Sequence, residues 1–146
     1  MASVKKSVLV PYSAGQMFGL VERVEDYPKF LPWCDGSAIL ERRADQALAR
    51  IDINYHGVRA HFTTANTHRP PEQIRIELRD GPFRHLDGTW QFRSLAATAC
   101  KVDFELHFEF NTHVLEKLIG PVFSHIANTF VDAFVKRAER VYGSET

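Results

Sequence analysis

The sequence predicts an α+β fold: one antiparallel β-sheet, apolar on one face, covered by a long C-terminal helix. Three observations carry this. Between residues 37 and 110 apolar side chains recur with a period of two, as on one face of a strand. Between residues 115 and 141 they recur at three and four, as on one face of a helix. In the cleanest strand, Val102, Phe104, Leu106, Phe108 and Phe110 alternate with Lys101, Asp103, Glu105, His107 and Glu109. A sheet wet on one side only favours antiparallel pairing.

In chain order, Val4, Val8 and Val10 share a parity, which makes residues 3–10 a first strand. Ser13 and Gln16 stand at capping-box spacing: the hydroxyl takes a free amide of the first turn and the glutamine reaches back. Met17, Leu20, Val21 and Val24 follow at helical spacing. Between Asp26 and Pro32, Pro28 tolerates a first helical turn and Pro32 ends one, so a second, one-turn helix is expected. Ala47, Ala49, Ile51, Ile53 and Tyr55 then alternate with polar neighbours, His56-Gly57 turns the chain, and Val58, Ala60, Phe62 and Thr64 continue the apolar face. Pro70-Pro71 breaks the next link. Ile74, Ile76 and Leu78 form another strand, Asp80-Gly81-Pro82 a turn, and Leu86, Gly88, Trp90 and Phe92 share the following parity. Asn111 or Thr112 can cap the last helix. Its apolar positions are Leu115, Leu118, Ile119, Val122, Ile126, Phe130, Phe134, Ala138 and Val141. Such a helix is ~40 Å long, and Gly120-Pro121 inside it predicts a kink.

The order is strand, two short helices, about six strands, one long helix. A sheet of this size curls, and a single helix does not fill a wide concave face. The expectation is an internal cavity lined by inward side chains, with Gly88 easing the bend or leaving room for a ligand.

Length and composition agree with one domain spanning residues 1–146. Hydrophobic residues make up 45% and charged residues 25%, which argues against disorder. Eighteen basic residues balance eighteen acidic ones, so there is no broad electrostatic footprint for nucleic acid or an anionic membrane. Two cysteines, Cys34 and Cys100, make neither a disulfide framework nor a four-ligand zinc site. The N-terminal apolar run stops at Pro11, too short for a signal peptide core, and a cytoplasmic protein is expected.

Three motifs carry a family resemblance: Tyr27-Pro28-Lys29-Phe30-Leu31-Pro32-Trp33-Cys34; Asp80-Gly81-Pro82-Phe83 running into Leu86-x-Gly88-x-Trp90-x-Phe92; and Asp103-Phe104-Glu105-Leu106-x-Phe108-Glu109-Phe110. With them, essentially the whole chain resembles the coenzyme Q-binding, polyketide-cyclase-like branch of the START superfamily, and within it the bacterial ribosome-association toxins. The resemblance implies a helix-grip (START/Bet v 1-like) fold, a curved antiparallel sheet around the C-terminal helix with an apolar cavity between. It implies two competing functions: binding ubiquinone in support of respiration, or binding the large ribosomal subunit and blocking subunit joining. Aromatic polyketide cyclase activity is a third, from more distant relatives.

The residues themselves weigh these readings. An isoprenoid quinone needs a long apolar slot and a few donors for its ring carbonyls. The expected cavity residues are Phe30, Leu31, Tyr55, Phe62, Leu78, Leu86, Trp90, Phe104, Phe108, Leu118 and Val122, with the Tyr55 hydroxyl and Trp90 indole as donors. The plainer reading makes the same aromatics core and the 27–34 motif a stiff cap over the sheet. No catalytic residue is assigned: Asp103, Glu105 and Glu109 fall on the wet face, where carboxylates keep a strand soluble, and inward positions supply almost no acid or base. The seven histidines show no metal-ligand spacing. The basic clusters Lys5-Lys6, Arg42-Arg43 and Lys136-Arg137-Arg140 are short and sparse for an RNA stripe. The expected partner is therefore a hydrophobic small molecule, a quinone or isoprenoid, held as ligand with no other cofactor. A transient membrane-surface contact would go with it, and the large ribosomal subunit is the alternative partner.

Overall fold

The structure is a computed structural model that describes residues 2–143. Seven strands form one antiparallel sheet: β1 (Ala2–Val10), β2 (Cys34–Arg42), β3 (Gln46–Tyr55), β4 (Val58–Arg69), β5 (Gln73–Asp80), β6 (Phe83–Ala96) and β7 (Ala99–Phe110). Their spatial order is β1-β7-β6-β5-β4-β3-β2, so every neighbour from β2 to β7 is a hairpin and β1 closes on the last strand. Helix α1 (Ala14–Glu22) and a 3-10 helix (Val24–Lys29) connect β1 to β2, and α2 (His113–Tyr142) ends the described fold.

Local chemistry sets the boundaries. At the start of α1 the Gln16 amide donates to Ser13 Oγ (3.1 Å) and the Ser13 amide to Gln16 Oε1 (2.9 Å), the reciprocal pair that its spacing predicts. Thr112, rather than Asn111, caps α2, its hydroxyl accepting from the Leu115 amide. The expected one-turn helix is the 3-10 helix, with Pro28 inside it and Val24 at its start. His56 and Gly57 both have positive φ, +49° and +79°, the two-residue turn whose twist suits a β-hairpin. At Gly81, with φ +151°, a Cβ would fall 2.7 Å from that of Phe62, so the β5–β6 turn admits no side chain there.

The alternation expected for β7 holds along its whole length, with even-numbered residues buried from Cys100 to Phe110. The inner face of the sheet packs against α2, which approaches β7, β1 and β4 most closely and is continuous through Pro121. Its buried face is the expected one in part: Ile119, Ile126, Phe134 and Ala138 are buried as expected, and Phe123, Ala127 and Val131 join them. Leu118 is 63% exposed, and Val122 is only partly buried. One residue step along a helix turns the face by about 100°. The apolar residues of α2 spread over more than one face, so spacing alone leaves this rotation open.

Candidate functional site

Between the sheet and α2 lies an apolar slot. Its floor comes from β3 to β7: Ile51, Phe62, Thr64, Asn66, Ile76, Leu86, Trp90, Phe104 and Leu106. Its roof is the buried face of α2, with Phe123, Ile126, Ala127 and Phe130, and its side wall is Val24 and Tyr27 of the 3-10 helix with Trp33. The wall is pinned at two points. The Tyr27 hydroxyl donates to the Val21 carbonyl at 2.6 Å, and the Ser37 hydroxyl of β2 to the Val24 carbonyl at 2.7 Å.

The slot encloses about 60 Å³. That is room for about two waters, where sites for small organic ligands run to about 300–1,000 Å³. Aromatic rings take up the rest. Trp90 has Phe104 at 4.6 Å between centroids, Phe134 at 5.2 Å and Phe130 at 5.6 Å, and Trp33 has Phe130 at 6.0 Å. Gly88 leaves no extra space, since a Cβ there would lie 3.0 Å from both Leu106 Cδ1 and the Glu105 carbonyl. Larger hollows, of about 510 and 490 Å³, open onto the surface beside the start of α2 and on the outer face of β1, β6 and β7, and mix polar with apolar groups in their lining.

Of the eleven expected cavity residues, Phe62, Leu86, Trp90 and Phe104 line the slot. The others do not. Phe30 lies outside the wall, its ring 5.1 Å from Phe134 with the Arg137 guanidinium 5.2 Å above it. Leu31 is fully buried as a packing residue behind the wall. Tyr55 stands beyond the floor, at the β3–β4 turn, stacked on His125 at 5.7 Å with the rings nearly parallel. Leu78 is partly buried at the end of β5, and Phe108 packs on Phe123 at 4.8 Å, past the end of the slot. Leu118 faces solvent, and Val122, partly buried against the core, does not line the slot. Trp33, Phe123, Ile126, Ala127 and Phe130 take the places expected of them.

The slot's polar side-chain atoms come from Thr64, Asn66 and Trp90 in the floor and from Tyr27 and Trp33 in the wall. Thr64 Oγ1 donates to Asn66 Oδ1 at 2.7 Å. Trp90 Nε1 is buried with no hydrogen-bond partner, the one such side-chain atom among the described residues. The signal for Thr64 and Asn66 was present as polar residues at inward parity on β4.

The titratable groups near the slot are held neutral. Burial raises the Tyr27 hydroxyl far above its usual range, pushes the Cys34 thiol up to about 11, and raises Cys100 as well. Burial lowers His68, on the inner face of β4. These shifts oppose the thiolate or phenolate a nucleophile requires. Among the described residues no cluster of His, Cys, Asp or Glu could hold a metal.

The chain matches the family model for polyketide cyclase / dehydrase and lipid transport over residues 10–135. It is 43% identical over 143 residues to the ribosome association toxin RatA of Vibrio cholerae, covering 98% of this chain and 99% of that one. To RatA of Escherichia coli K12 it is 42% identical over 144 residues, covering 99% and 91%. It is 29% identical to the mitochondrial coenzyme Q-binding protein COQ10 homolog B of Xenopus laevis, covering 96% of this chain and 59% of that one. A START superfamily protein of Mycobacterium smegmatis superposes with a TM-score of 0.75 at 26% identity, covering 95% and 98%. The Zhui aromatase/cyclase of a Streptomyces superposes with a TM-score of 0.80 at 18% identity, covering 99% and 98%, a likeness of fold alone.

Proposed function

Because the chain belongs to the polyketide cyclase / dehydrase and lipid transport family, we propose that it is a cytoplasmic binding protein that holds an apolar ligand, a quinone or another isoprenoid lipid, between sheet and α2 without changing it chemically. The observation that carries this is the slot, with an apolar and aromatic lining and an unpartnered indole donor in its floor. Burying a tail there gains about 0.8 kcal/mol per methylene. A volume of about 60 Å³ requires the roof and wall to part as the ligand enters. Phe130 is the first side chain to move, because it is only partly buried and touches Trp33, Trp90 and Phe104 together. Catalysis has weaker support, since the nearby titratable groups are held in their neutral forms. Native mass spectrometry and organic extraction of the purified protein test the reading. A co-purifying isoprenoid, or uptake of an added quinone at one per chain, supports it; the absence of both sinks it.

Ribosome association is the second reading, favoured by relatives 42–43% identical over nearly their whole length that are named for it. It would use the outer surface rather than the slot, docking on the large subunit and blocking subunit joining. With balanced charge, contacts to ribosomal protein fit better than a broad RNA interface. Sedimentation of ribosomes with added protein decides it. Comigration with the large subunit and loss of joined particles support it, and unchanged profiles remove it.

A further inference from the structure

The outer side of α2 changes character along its length. At about 100° per residue, Val114, Leu118, Pro121 and His125 fall close to one line, on the side of the helix opposite Phe123. Val114 is 65% and Leu118 63% exposed, Pro121 is exposed, and Val122 flanks the line partly buried. Further along, the same side carries Asn128, Asp132, Lys136 and Glu139, all exposed. That second half is the ordinary solvent face of a helix, and the first half is not. An 18-residue stretch of α2 has a mean hydropathy of 1.3, yet only 33% of it is buried in the fold. This second apolar face is what leaves the rotation of the helix open to spacing alone.

The apolar half is built as a ridge. Val114, Leu118 and Pro121 stand at i, i+4 and i+7, the anchor spacing of a helix seated in a groove. The ridge is held ready, capped by Thr112 and packed from beneath through Ile119 and Phe123. At its far end Tyr55, from the β3–β4 turn, stacks on His125. Tyrosine is enriched where proteins meet. On one flank Pro121 also borders the hollow of about 510 Å³, which gives a partner side chain a hole beside the ridge.

Charge decides what covers it. From Val114 to Ala127 the only Asp, Glu, Lys or Arg are Glu116 and Lys117, and Glu116 lies 3.4 Å from His113 Nδ1. RNA is held through phosphates, which call for several cations. A helix lying in a bilayer surface carries Lys and Arg along its apolar stripe. Two convex ridges from two copies meet along a line and exclude little water, whereas a groove covers a ridge on three sides. We propose that Val114, Leu118 and Pro121 dock in an apolar groove on a protein of the large ribosomal subunit. This rests on the ribosome-association reading above and names the surface it uses.

The experiment sediments purified large subunits through sucrose with the unaltered protein, with Leu118→Asp, and with Leu95→Asp. Leu95 is 55% exposed near the end of β6, away from the start of α2. The unaltered protein and Leu95→Asp should pellet with the subunit. Their affinity should change less than threefold between about 50 and 200 mM salt, where an RNA-bound protein loses orders of magnitude. Leu118→Asp should bind at least tenfold more weakly at an unchanged urea midpoint. Cys34 and Cys100 are buried, so Lys117→Cys places a single reactive thiol beside the ridge. Carrying a benzophenone, it should crosslink to subunit protein. No pelleting of the unaltered protein overturns the ribosome reading and the docking surface with it. Equal pelleting of the unaltered protein and Leu118→Asp overturns the surface and leaves that reading standing. Equal losses in Leu118→Asp and Leu95→Asp overturn the assignment to α2. A steep salt dependence, or crosslinks to RNA alone, overturns the protein groove. So does a dimer in gel filtration, or binding to phosphatidylcholine vesicles, that Leu118→Asp abolishes while subunit binding persists. If Leu118→Asp lowers the urea midpoint, the crosslink from position 117 decides the matter.

Discussion

The Tyr27 hydroxyl donates a 2.6 Å hydrogen bond to the backbone carbonyl of Val21, six residues earlier. It ties the 3-10 helix to the last turn of α1 and holds the Tyr27 ring 5.3 Å from Phe134, edge to face. Tyr27→Phe keeps the ring and leaves a buried carbonyl without this donor. It should destabilise the protein by about 1–3 kcal/mol, read as a lower urea midpoint at unchanged slope.

The rotation of α2 gives a paired prediction. Phe134 is fully buried against Tyr27, Phe30, Trp90 and Phe130, so Phe134→Ala should cost about 3–5 kcal/mol. Leu118 is 63% exposed, and Leu118→Ala should stay within about 0.5 kcal/mol of the unaltered protein. Equal losses at the two sites in urea unfolding would mean a different face of α2 meets the sheet.

His68 sets a pH dependence. Burial lowers its pKa in the folded protein below the ordinary 6.5, so between the two values the unfolded chain binds more protons than the folded one. Stability from this group is present above 6.5 and is lost as pH falls toward the lowered value. Thermal melts from pH 7.5 downward should show a fall beginning near pH 6.5, and His68→Leu should flatten that part of the curve.

Cys34 is pushed up to about 11 and Cys100 is raised, and both side chains are buried. At pH 8 neither carries appreciable thiolate. A disulfide-exchange chromogen should label neither thiol rapidly in the folded protein and both in denaturant. A fast-reacting thiol in the native state would contradict the buried, neutral placement.

Much of this fold was legible because strand periodicity is strict. The alternation of β7, the His56-Gly57 hairpin and the Ser13/Gln16 cap are local patterns whose physics needs no distant partner. The site was legible on the sheet and not on the helix. Phe62, Leu86, Trp90 and Phe104 come from strands, where parity fixes the face. Leu118 and Val122 come from a helix with apolar residues on several sides, where only packing fixes the rotation. Tyr55 has the right parity but stands past the point where the slot ends, and length along a strand is a three-dimensional matter. Asn66 was passed over because a polar residue at an inward position reads as a break in the apolar pattern, although such breaks are where a site differs from core.

The register of β1 has a consequence for how the protein is made. Val4 lies opposite Leu106, and Val8 opposite Val102. The first strand of this fold is thus partnered by its last, and at translation speeds it waits roughly 5–20 s for it. Through that interval its valines have no sheet to join, and Lys5 and Lys6 are the charges that keep the nascent strand from pairing with a stranger.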